Sequence, residues 1–384
     1  MIDFLDFEIS SICNAGCPVC PRRTQGQYEI FTHSYWKFED VKKALTEKLV
    51  KQILGIRFCG NYGDALGNPD LVKIVTWILE TNSKCQIDIR TNGGLGSLET
   101  YKQLAKLGAV ITFGIDGYGN NNELYRVNVK WKKLIENIET FTSNTIYKHQ
   151  FNIQFLAWDQ TIGDVPKIYK LLTDFGGEML RILEPFTHGN YTHAYHLSGK
   201  YSHSLTFNST EISKKLTLKP WHSDNFNELE EILKNNEVLN SPVKNIEHKQ
   251  SIRKKTTPYK KDLNLVLKKR KSFTQTCYSK NRLDPSNLEE SLFDLYITYD
   301  GYLMPCCLIP PMFSTALNNS TGNESDEQKE ILNSILDLGL HNFSVRTKTV
   351  QEVLDSGILD EFVYKHFKTN TQFNFCQSVC GKCT

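Results

Sequence analysis

The chain of 384 residues carries 45 Lys and Arg against 43 Asp and Glu, which gives a net charge of +2 at pH 7. This near balance argues against a general electrostatic attraction to nucleic acid or to a membrane surface. No apolar run reaches the length of a membrane span, and the N-terminus lacks a basic-then-apolar signal pattern, so we expect a cytoplasmic protein. In a reducing compartment its 11 cysteines would be metal ligands or buried thiols rather than disulfides.

Three cysteines stand close together near the start of the chain, after a short apolar run. Cys13, Cys17 and Cys20 have the spacing C-x3-C-x2-C. Three thiolates on one tight loop can hold three corners of a 4Fe–4S cluster and leave the fourth iron open for a small molecule. A structural zinc site is the alternative, but zinc usually takes four protein ligands and no histidine precedes His33. The spacing therefore favours an open cluster, with zinc or buried unliganded thiols as the other interpretations.

From residue 3 to about 185, short apolar runs alternate with longer amphipathic segments. Strands are predicted over 53–59, 86–90, 110–115, 151–156 and 179–183, and helices from about 68 and over 98–107, 131–141 and 165–175. Repeated strand–helix units indicate a parallel sheet with helical crossovers, closed or partly closed as a barrel. Ligands bind at the carboxyl ends of such strands, where the loops 13–20, 60–67, 91–94 and 116–119 would meet.

The composition changes after about residue 190. Basic residues crowd 244–271, which we interpret as a solvated insertion or as a contact surface for an acidic partner. Aromatic residues that would stack on bases do not accompany this charge, so nucleic acid is not favoured as a partner. Further on, Asp300-Gly301 predicts the turn of a hairpin between 295–299 and 302–304, and helices are predicted over 331–338 and 350–362.

Taken in order, these motifs resemble the radical S-adenosylmethionine (SAM) enzymes that carry a C-terminal SPASM or twitch extension. The resemblance implies an α/β fold with a partial (β/α)6 TIM-like barrel over residues 1–190. It further implies a polar and basic insertion or linker over 191–275 and a small twitch/SPASM-like cluster-binding domain over 276–384. Cys13, Cys17 and Cys20 would hold a 4Fe–4S cluster whose open iron is chelated by the amino and carboxylate groups of SAM.

Three further segments resemble the SAM-binding segments of this family, and one of them, Thr91-Asn92-Gly93, matches a common third-strand ending that lines the SAM pocket. Gly60-Asn61-Tyr62-Gly63-Asp64 is similar to the Gly-Gly-Glu-Pro loop that holds the methionine amino group, and Asp64 replaces the glutamate. Gly114-Ile115-Asp116-Gly117 with Arg126 is similar to a strand ending in Ser-x-Asp-Gly and to the arginine that pairs with the SAM carboxylate. Plain turns, or a surface salt bridge at Arg126, are the alternatives. The cofactor-binding residues implied are Gly60, Asn61, Tyr62, Gly63, Asp64, Thr91, Asn92, Asp116 and Arg126.

The C-terminal cysteines resemble the ligands of an auxiliary cluster. Gly301-x4-Cys306 is an element of SPASM and twitch domains, and six cysteines fit one auxiliary 4Fe–4S cluster better than two. The resemblance favours Cys277, Cys306, Cys380 and Cys383 as ligands, with Cys307 and Cys376 as alternates. A structural zinc site is the alternative at this end of the chain.

The resemblance implies an enzyme that cleaves SAM reductively to a 5′-deoxyadenosyl radical and abstracts hydrogen from a substrate carbon. A flavodoxin- or ferredoxin-type protein would supply the electron. A peptide or protein substrate is favoured, and dehydrogenation of a sugar or cyclitol is the alternative. A non-catalytic metal-cluster protein is a hypothesis from another class, but it would not need SAM-type loops at successive strand ends. The sequence singles out no catalytic residue.

Overall fold

The computed structural model describes residues 2–18, 20, 22, 33–183, 185, 193–195, 201–205, 217–218, 293–305 and 326–367. The basic segment 244–271 and the predicted auxiliary ligands lie outside these residues: Cys277, Cys306, Cys307, Cys376, Cys380 and Cys383. The auxiliary cluster and the boundaries of the second and third domains therefore stay predictions.

Nine strands form the main sheet in the described part of the chain. Six parallel strands lie side by side in chain order: β1 Ile2–Phe7, β2 Gly55–Phe58, β3 Gln86–Thr91, β4 Val110–Gly114, β5 Phe151–Leu156 and β6 Met179–Leu183. Two further strands, β7 His193–Tyr195 and β8 Tyr201–Ser204, form a separate antiparallel pair. The edges of the main sheet are completed by β9 Thr217–Leu218 beside β6, and by β10 Phe293–Ile297 and β11 Leu303–Met304 beyond β1.

Helices connect the successive parallel strands. They are α1 Phe38–Val50, α2 Leu71–Thr81, α3 Leu98–Lys106, α4 Asn122–Tyr125, α5 Trp131–Thr142 and α6 Val165–Asp174. The C-terminal part adds α7 Asp326–Asp337, α8 Val350–Asp355 and α9 Ile358–Phe367. This arrangement confirms the predicted partial (β/α)6 barrel. No described helix has the length and apolarity needed to cross a bilayer.

The sheet has an apolar face under the helices and a polar face toward the barrel interior. In β3 the buried Ile87 and Ile89 alternate with the half-buried Asp88 and Arg90. Such alternation follows from the two-residue period of a strand, which sends successive side chains to opposite faces. The apolar face packs on aromatic side chains that are fully buried, among them Trp36, Tyr101, Phe7, Phe58, Phe113, Phe141, Phe151 and Phe155. Polar side chains are therefore available inside the barrel, next to the strand ends.

The predicted hairpin at Asp300-Gly301 is present, and it extends the barrel sheet because β10 pairs in parallel with β1. Its contacts reach the first crossover, where Trp36 Nε1 donates a hydrogen bond to the carbonyl oxygen of Thr298 (3.3 Å). The guanidinium of Arg346 stacks on the Trp36 ring at 3.6 Å, and its Nη2 donates to the carbonyl oxygen of Tyr299 (2.8 Å). The strands β10 and β11 are thus part of the barrel sheet, and Arg346 packs against its first crossover.

The sequence did not predict the short elements α4, β7, β8 and β9, and its prediction differs from the structure at two longer helical segments. Helix α1 was not predicted, although its buried residues recur at helical spacing. The single helix predicted over 350–362 is two helices, α8 and α9, separated by Gly357 with φ +74°. A glycine adopts this left-handed conformation at little cost, and it ends the first helix.

Candidate functional site

The loop after β1 carries three thiols to the carboxyl edge of the sheet. Asn92 Nδ2 lies 3.3 Å from Cys13 Sγ, and Arg126 Nη1 lies 3.7 Å from Cys17 Sγ. Burial raises the pKa of Cys13 to about 12. The negative charges of Asp64 and Cys17 contribute to this increase. Burial and Cys17 likewise raise the pKa of Cys20 to about 11. The charge of Cys17 thus acts on both Cys13 and Cys20, which means that the three thiols lie near one another.

The loop Gly60–Gly63, after β2, folds over the backbone that leads to the cysteines. A Cβ atom at Gly63 would collide with the carbonyl oxygen of Ser10. Only glycine allows two backbones to approach this closely. The N–H of Asp64 then donates to the carbonyl oxygen of Ile12 (2.9 Å), one residue before the first cysteine. The two loops are thus joined at the backbone.

Asp64 connects the loop after β2 to the end of β3. Its Oδ1 accepts hydrogen bonds from the N–H of Leu66 (3.0 Å) and from Thr91 Oγ1 (2.9 Å), and its Oδ2 accepts one from the N–H of Asn92 (2.8 Å). The residue is only 4% exposed. Burial raises its pKa, and these hydrogen bonds act in the opposite direction. Asp64 therefore holds Asn92 in place beside Cys13, and its predicted contact with the amino group of SAM stays a prediction.

Asp116 and Arg126 form a buried ion pair beyond the end of β4. Arg126 Nε lies 2.5 Å from Asp116 Oδ2, and Asp116 Oδ1 accepts the N–H of Leu156 (2.6 Å). Burial opposes the charge on Arg126, but Asp116 and Cys17 outweigh it and raise the pKa of Arg126 well above its usual value. A Cβ atom at Gly114 would lie 2.6 Å from Arg126 Nη2. The guanidinium therefore occupies the space of the serine side chain that is usual at this position in the resembling family.

Sequence reasoning missed Glu8, which lies directly after β1 and is fully buried. Its Oε1 accepts the N–H groups of Tyr62 (2.5 Å) and Gly63 (3.2 Å), and its Oε2 accepts the hydroxyl of Tyr296 on β10 (3.0 Å). Asn61 Nδ2 also donates to that hydroxyl oxygen (3.1 Å). Burial raises the pKa of Glu8 to about 7, although these hydrogen bonds lower it. An available signal was a carboxylate at an interior-facing position five residues before the first cysteine.

The three thiols are chemically suited to hold a 4Fe–4S cluster. Among the described residues, no group of three or more His, Cys, Asp or Glu side chains surrounds one ion position. A cubane binds each thiolate through a different iron, so it does not require a common point. The N–H groups directed at Cys13 and Cys17 favour the charged thiolates that ligate iron. Cys13, Cys17 and Cys20 are therefore suitable ligands for the cluster.

Residues 7–172 match the family described as the Radical SAM superfamily. The match includes the cysteine loop, the loop Gly60–Gly63 and the Asp116–Arg126 pair. Residues 7–172 are therefore similar to a radical SAM domain. This stretch is less than half of the chain.

Three solved structures are similar to this chain in fold. Histidine-tagged anSMEcpe with bound AdoMet is 15% identical with a TM-score of 0.51, and the alignment covers 99% of this chain and 85% of that chain. Streptococcus suis SuiB is 12% identical with a TM-score of 0.55, over 99% of this chain and 71% of that chain. SuiB bound to S-adenosylmethionine is also 12% identical, with a TM-score of 0.52, and the alignment covers 98% of this chain and 70% of that chain. At these identities the likeness is one of fold. No curated protein sequence matches the chain significantly.

Proposed function

We propose that this protein is a radical SAM enzyme that abstracts hydrogen from a substrate carbon. A 4Fe–4S cluster held by Cys13, Cys17 and Cys20 would supply the electron that cleaves SAM into methionine and the 5′-deoxyadenosyl radical. A flavodoxin- or ferredoxin-type protein would return that electron. The observation that carries the proposal is the meeting of three strand ends at the thiols, where Asn92 reaches Cys13 and Arg126 reaches Cys17.

The protein groups around the thiols suit the polar parts of SAM. The Nε of Arg126 contacts Asp116. Its Nη atoms lie on the side of Cys17, where they could bind the SAM carboxylate. A guanidinium binds a carboxylate with two parallel hydrogen bonds, so this placement suits the predicted role. The carbonyl oxygens of the loop Gly60–Gly63 would accept the SAM ammonium. The bound SAM in the anSMEcpe and SuiB structures, which share the fold, supports a SAM site here.

A peptide or protein is the substrate that we favour. This choice rests on the resemblance of Gly301-x4-Cys306 and the terminal cysteines to SPASM-type extensions. An auxiliary 4Fe–4S cluster on Cys277, Cys306, Cys380 and Cys383 would accept the electron left on the substrate or anchor the substrate.

Anaerobic reconstitution with iron and sulfide, followed by dithionite and SAM, tests the proposal. Wild type should hold about eight irons per chain, and a Cys13/Cys17/Cys20→Ala triple variant about four. The triple variant should form no 5′-deoxyadenosine, whereas wild type should form it. Cys85→Ala is the matched control, because this buried cysteine directly precedes β3, at the opposite edge of the sheet from the cysteine loop, and should change neither quantity. Stoichiometric zinc without SAM cleavage would overturn the proposal.

A further inference from the structure

Arginines on three strands line the barrel interior, and they differ in their partners. Arg57 on β2 pairs with Asp6 on β1 (2.5 Å) and with Asp88 on β3 (3.5 Å). Arg90 on β3 and Arg181 on β6 form no salt bridge and no side-chain hydrogen bond with any residue that the structure describes. Carboxylates thus pair directly with the first arginine, whereas the other two have no direct ion pair among the described residues, and Arg90 interacts with Asp6 only at longer range.

Both of these arginines face the interior close to the SAM-binding edge. Arg90 lies on β3, two residues before Asn92, which directly follows the strand. Arg181 is in register with Gln154 on β5, which is itself in register with Gly114 on β4. Since side chains two residues apart share a face of the sheet, Arg90 points to the same interior as its neighbour Asp88. The two guanidinium groups therefore lie on the interior face, one or two residues below the strand ends that carry the candidate SAM site.

Partial burial of these like charges without a counter-ion destabilises the folded protein. Burial lowers the pKa of Arg181, and the like charges of Arg90 and Arg57 lower it further. The Nε of Arg90 is buried without a hydrogen-bond acceptor among the described residues. Glu8 shares the interior, but its oxygens accept from the backbone and from a tyrosine rather than from an arginine. Partly buried charges of one sign are stabilised by an anion that binds them.

We propose that Arg90 and Arg181 bind an anionic group of the substrate, a carboxylate or a phosphate, inside the barrel. This inference rests on the proposed function, because a radical formed at the strand ends reacts with a substrate held in the adjoining interior. A guanidinium binds either anion through paired N–H groups. On a peptide substrate the anion would be an acidic side chain, a phosphorylated side chain or a terminal carboxylate.

Ligand-observed saturation-transfer NMR on the reconstituted full-length protein tests the site. The probes are the N-methylamides of N-acetylglutamate and N-acetyl-O-phosphoserine, whose only anion is the side chain, and the neutral N-methylamide of N-acetylglutamine. Wild type should bind at least one acidic probe and not the neutral glutamine probe. Arg90→Gln and Arg181→Gln should each weaken that binding about tenfold or more, since a hydrogen bond to a charged group is lost. Lys170→Gln, which removes an exposed charge on α6, is the matched control and should bind as wild type does.

Lysine variants keep the test valid if a glutamine variant fails to fold. Arg90→Lys and Arg181→Lys retain the charge, so they should retain the preference for the acidic probe with reduced affinity. The relative binding of the two acidic probes separates a carboxylate site from a phosphate site. Equal binding of the glutamate and glutamine N-methylamide probes by wild type, or wild-type affinity in both glutamine variants, would overturn the inference.

The same preparations separate this inference from the proposed function. If 5′-deoxyadenosine forms without any preference for acidic probes, the anion site alone is wrong. If the acidic probes bind but SAM is not cleaved, the proposed enzyme is wrong, and the anion site remains as a binding site of unassigned purpose.

Discussion

The carboxyl group of Glu8 has three protein hydrogen-bond donors and no exposure to solvent. Its pKa of about 7 in the folded protein exceeds the ordinary value of 4.5, chiefly because of burial. The charge of Asp300 in the hairpin turn raises it further. The folded protein therefore binds this proton more tightly than the unfolded chain does. The resulting stabilisation is complete below about pH 4.5 and is lost as the pH rises through about 7.

Glu8→Gln should remove this pH dependence, because the amide cannot ionise while its oxygen can still accept the N–H groups of Tyr62 and Gly63. Relative to wild type, the free energy of unfolding of the variant should rise by on the order of 2 to 3 kcal/mol between pH 5 and pH 8. Urea denaturation at unit pH steps measures this difference. Glu8→Leu, which leaves the buried N–H groups without an acceptor, should be less stable at every pH by about 1 to 3 kcal/mol per group. Parallel pH profiles for wild type and Glu8→Gln would contradict the pKa assignment.

The position of a site residue could be predicted only where it follows from the order of strands and loops along the chain. Asn92 could be placed near the thiols because the carboxyl ends of parallel strands share one edge of the sheet, whereas Arg126 was named only through the family resemblance. Glu8 could not be placed, because its role depends on Tyr296, which is 288 residues away in the chain. Asp64 was predicted as a cofactor contact from its motif. Its hydrogen bonds to Thr91 and to its other neighbours are tertiary contacts that the motif does not encode.

At the scale of elements, the contact between the hairpin turn and the first crossover depends on Arg346. Its guanidinium covers Trp36 and donates to the carbonyl oxygen of Tyr299, and a Cβ atom at Gly301 would collide with its side chain. Arg346→Ala should lower the free energy of unfolding by about 2 to 4 kcal/mol, since a cation–π contact and a charged hydrogen bond are both lost. Denaturation followed by tryptophan fluorescence measures the loss.

Arg346→Lys is the control for this contact. It keeps a positive charge near the Trp36 ring but lacks the planar group that stacks on it and reaches Tyr299, so its loss of stability should be intermediate. If the alanine variant matched wild type to within experimental error, the hairpin would not be held by this residue.

Strands and helices were predictable to within a few residues where apolar periodicity is strong. The strands 151–156 and 179–183 coincide with β5 and β6. The break at Gly357 was missed because apolar residues recur on both sides of it. Pairing of β10 with β1 was also beyond the sequence, because strand partners far apart in the chain are selected by packing and not by local pattern.

For the molecule as a whole, β10 decides whether β1 is an interior strand or an edge. A chain that ends after residue 185 would expose the backbone groups of β1 that now pair with β10, and would remove the partner of Trp36 Nε1. Exposed, apolar edge strands promote aggregation. We expect the truncated chain to aggregate and its β1 amides to exchange rapidly. Size-exclusion chromatography and hydrogen exchange measure both effects.

A chain that ends after residue 367 is the matched control for this truncation, because it keeps every described element. It should remain soluble and should protect the β1 amides. A monomeric 1–185 fragment with protected β1 amides would show that β10 is dispensable for the barrel.

The pairing of the first strand with a strand nearly 300 residues later also determines when the sheet can be completed during synthesis. Ribosomes add roughly 5 to 20 residues per second, so the 288 residues between Glu8 and Tyr296 take roughly 15 to 60 seconds to synthesise. During that interval the cysteine loop has left the ribosome while the strand that covers its side of the sheet does not yet exist. Contacts of such long range also slow folding after release. The thiols that would hold the cluster are thus among the first groups synthesised, and the sheet beside them is among the last parts completed.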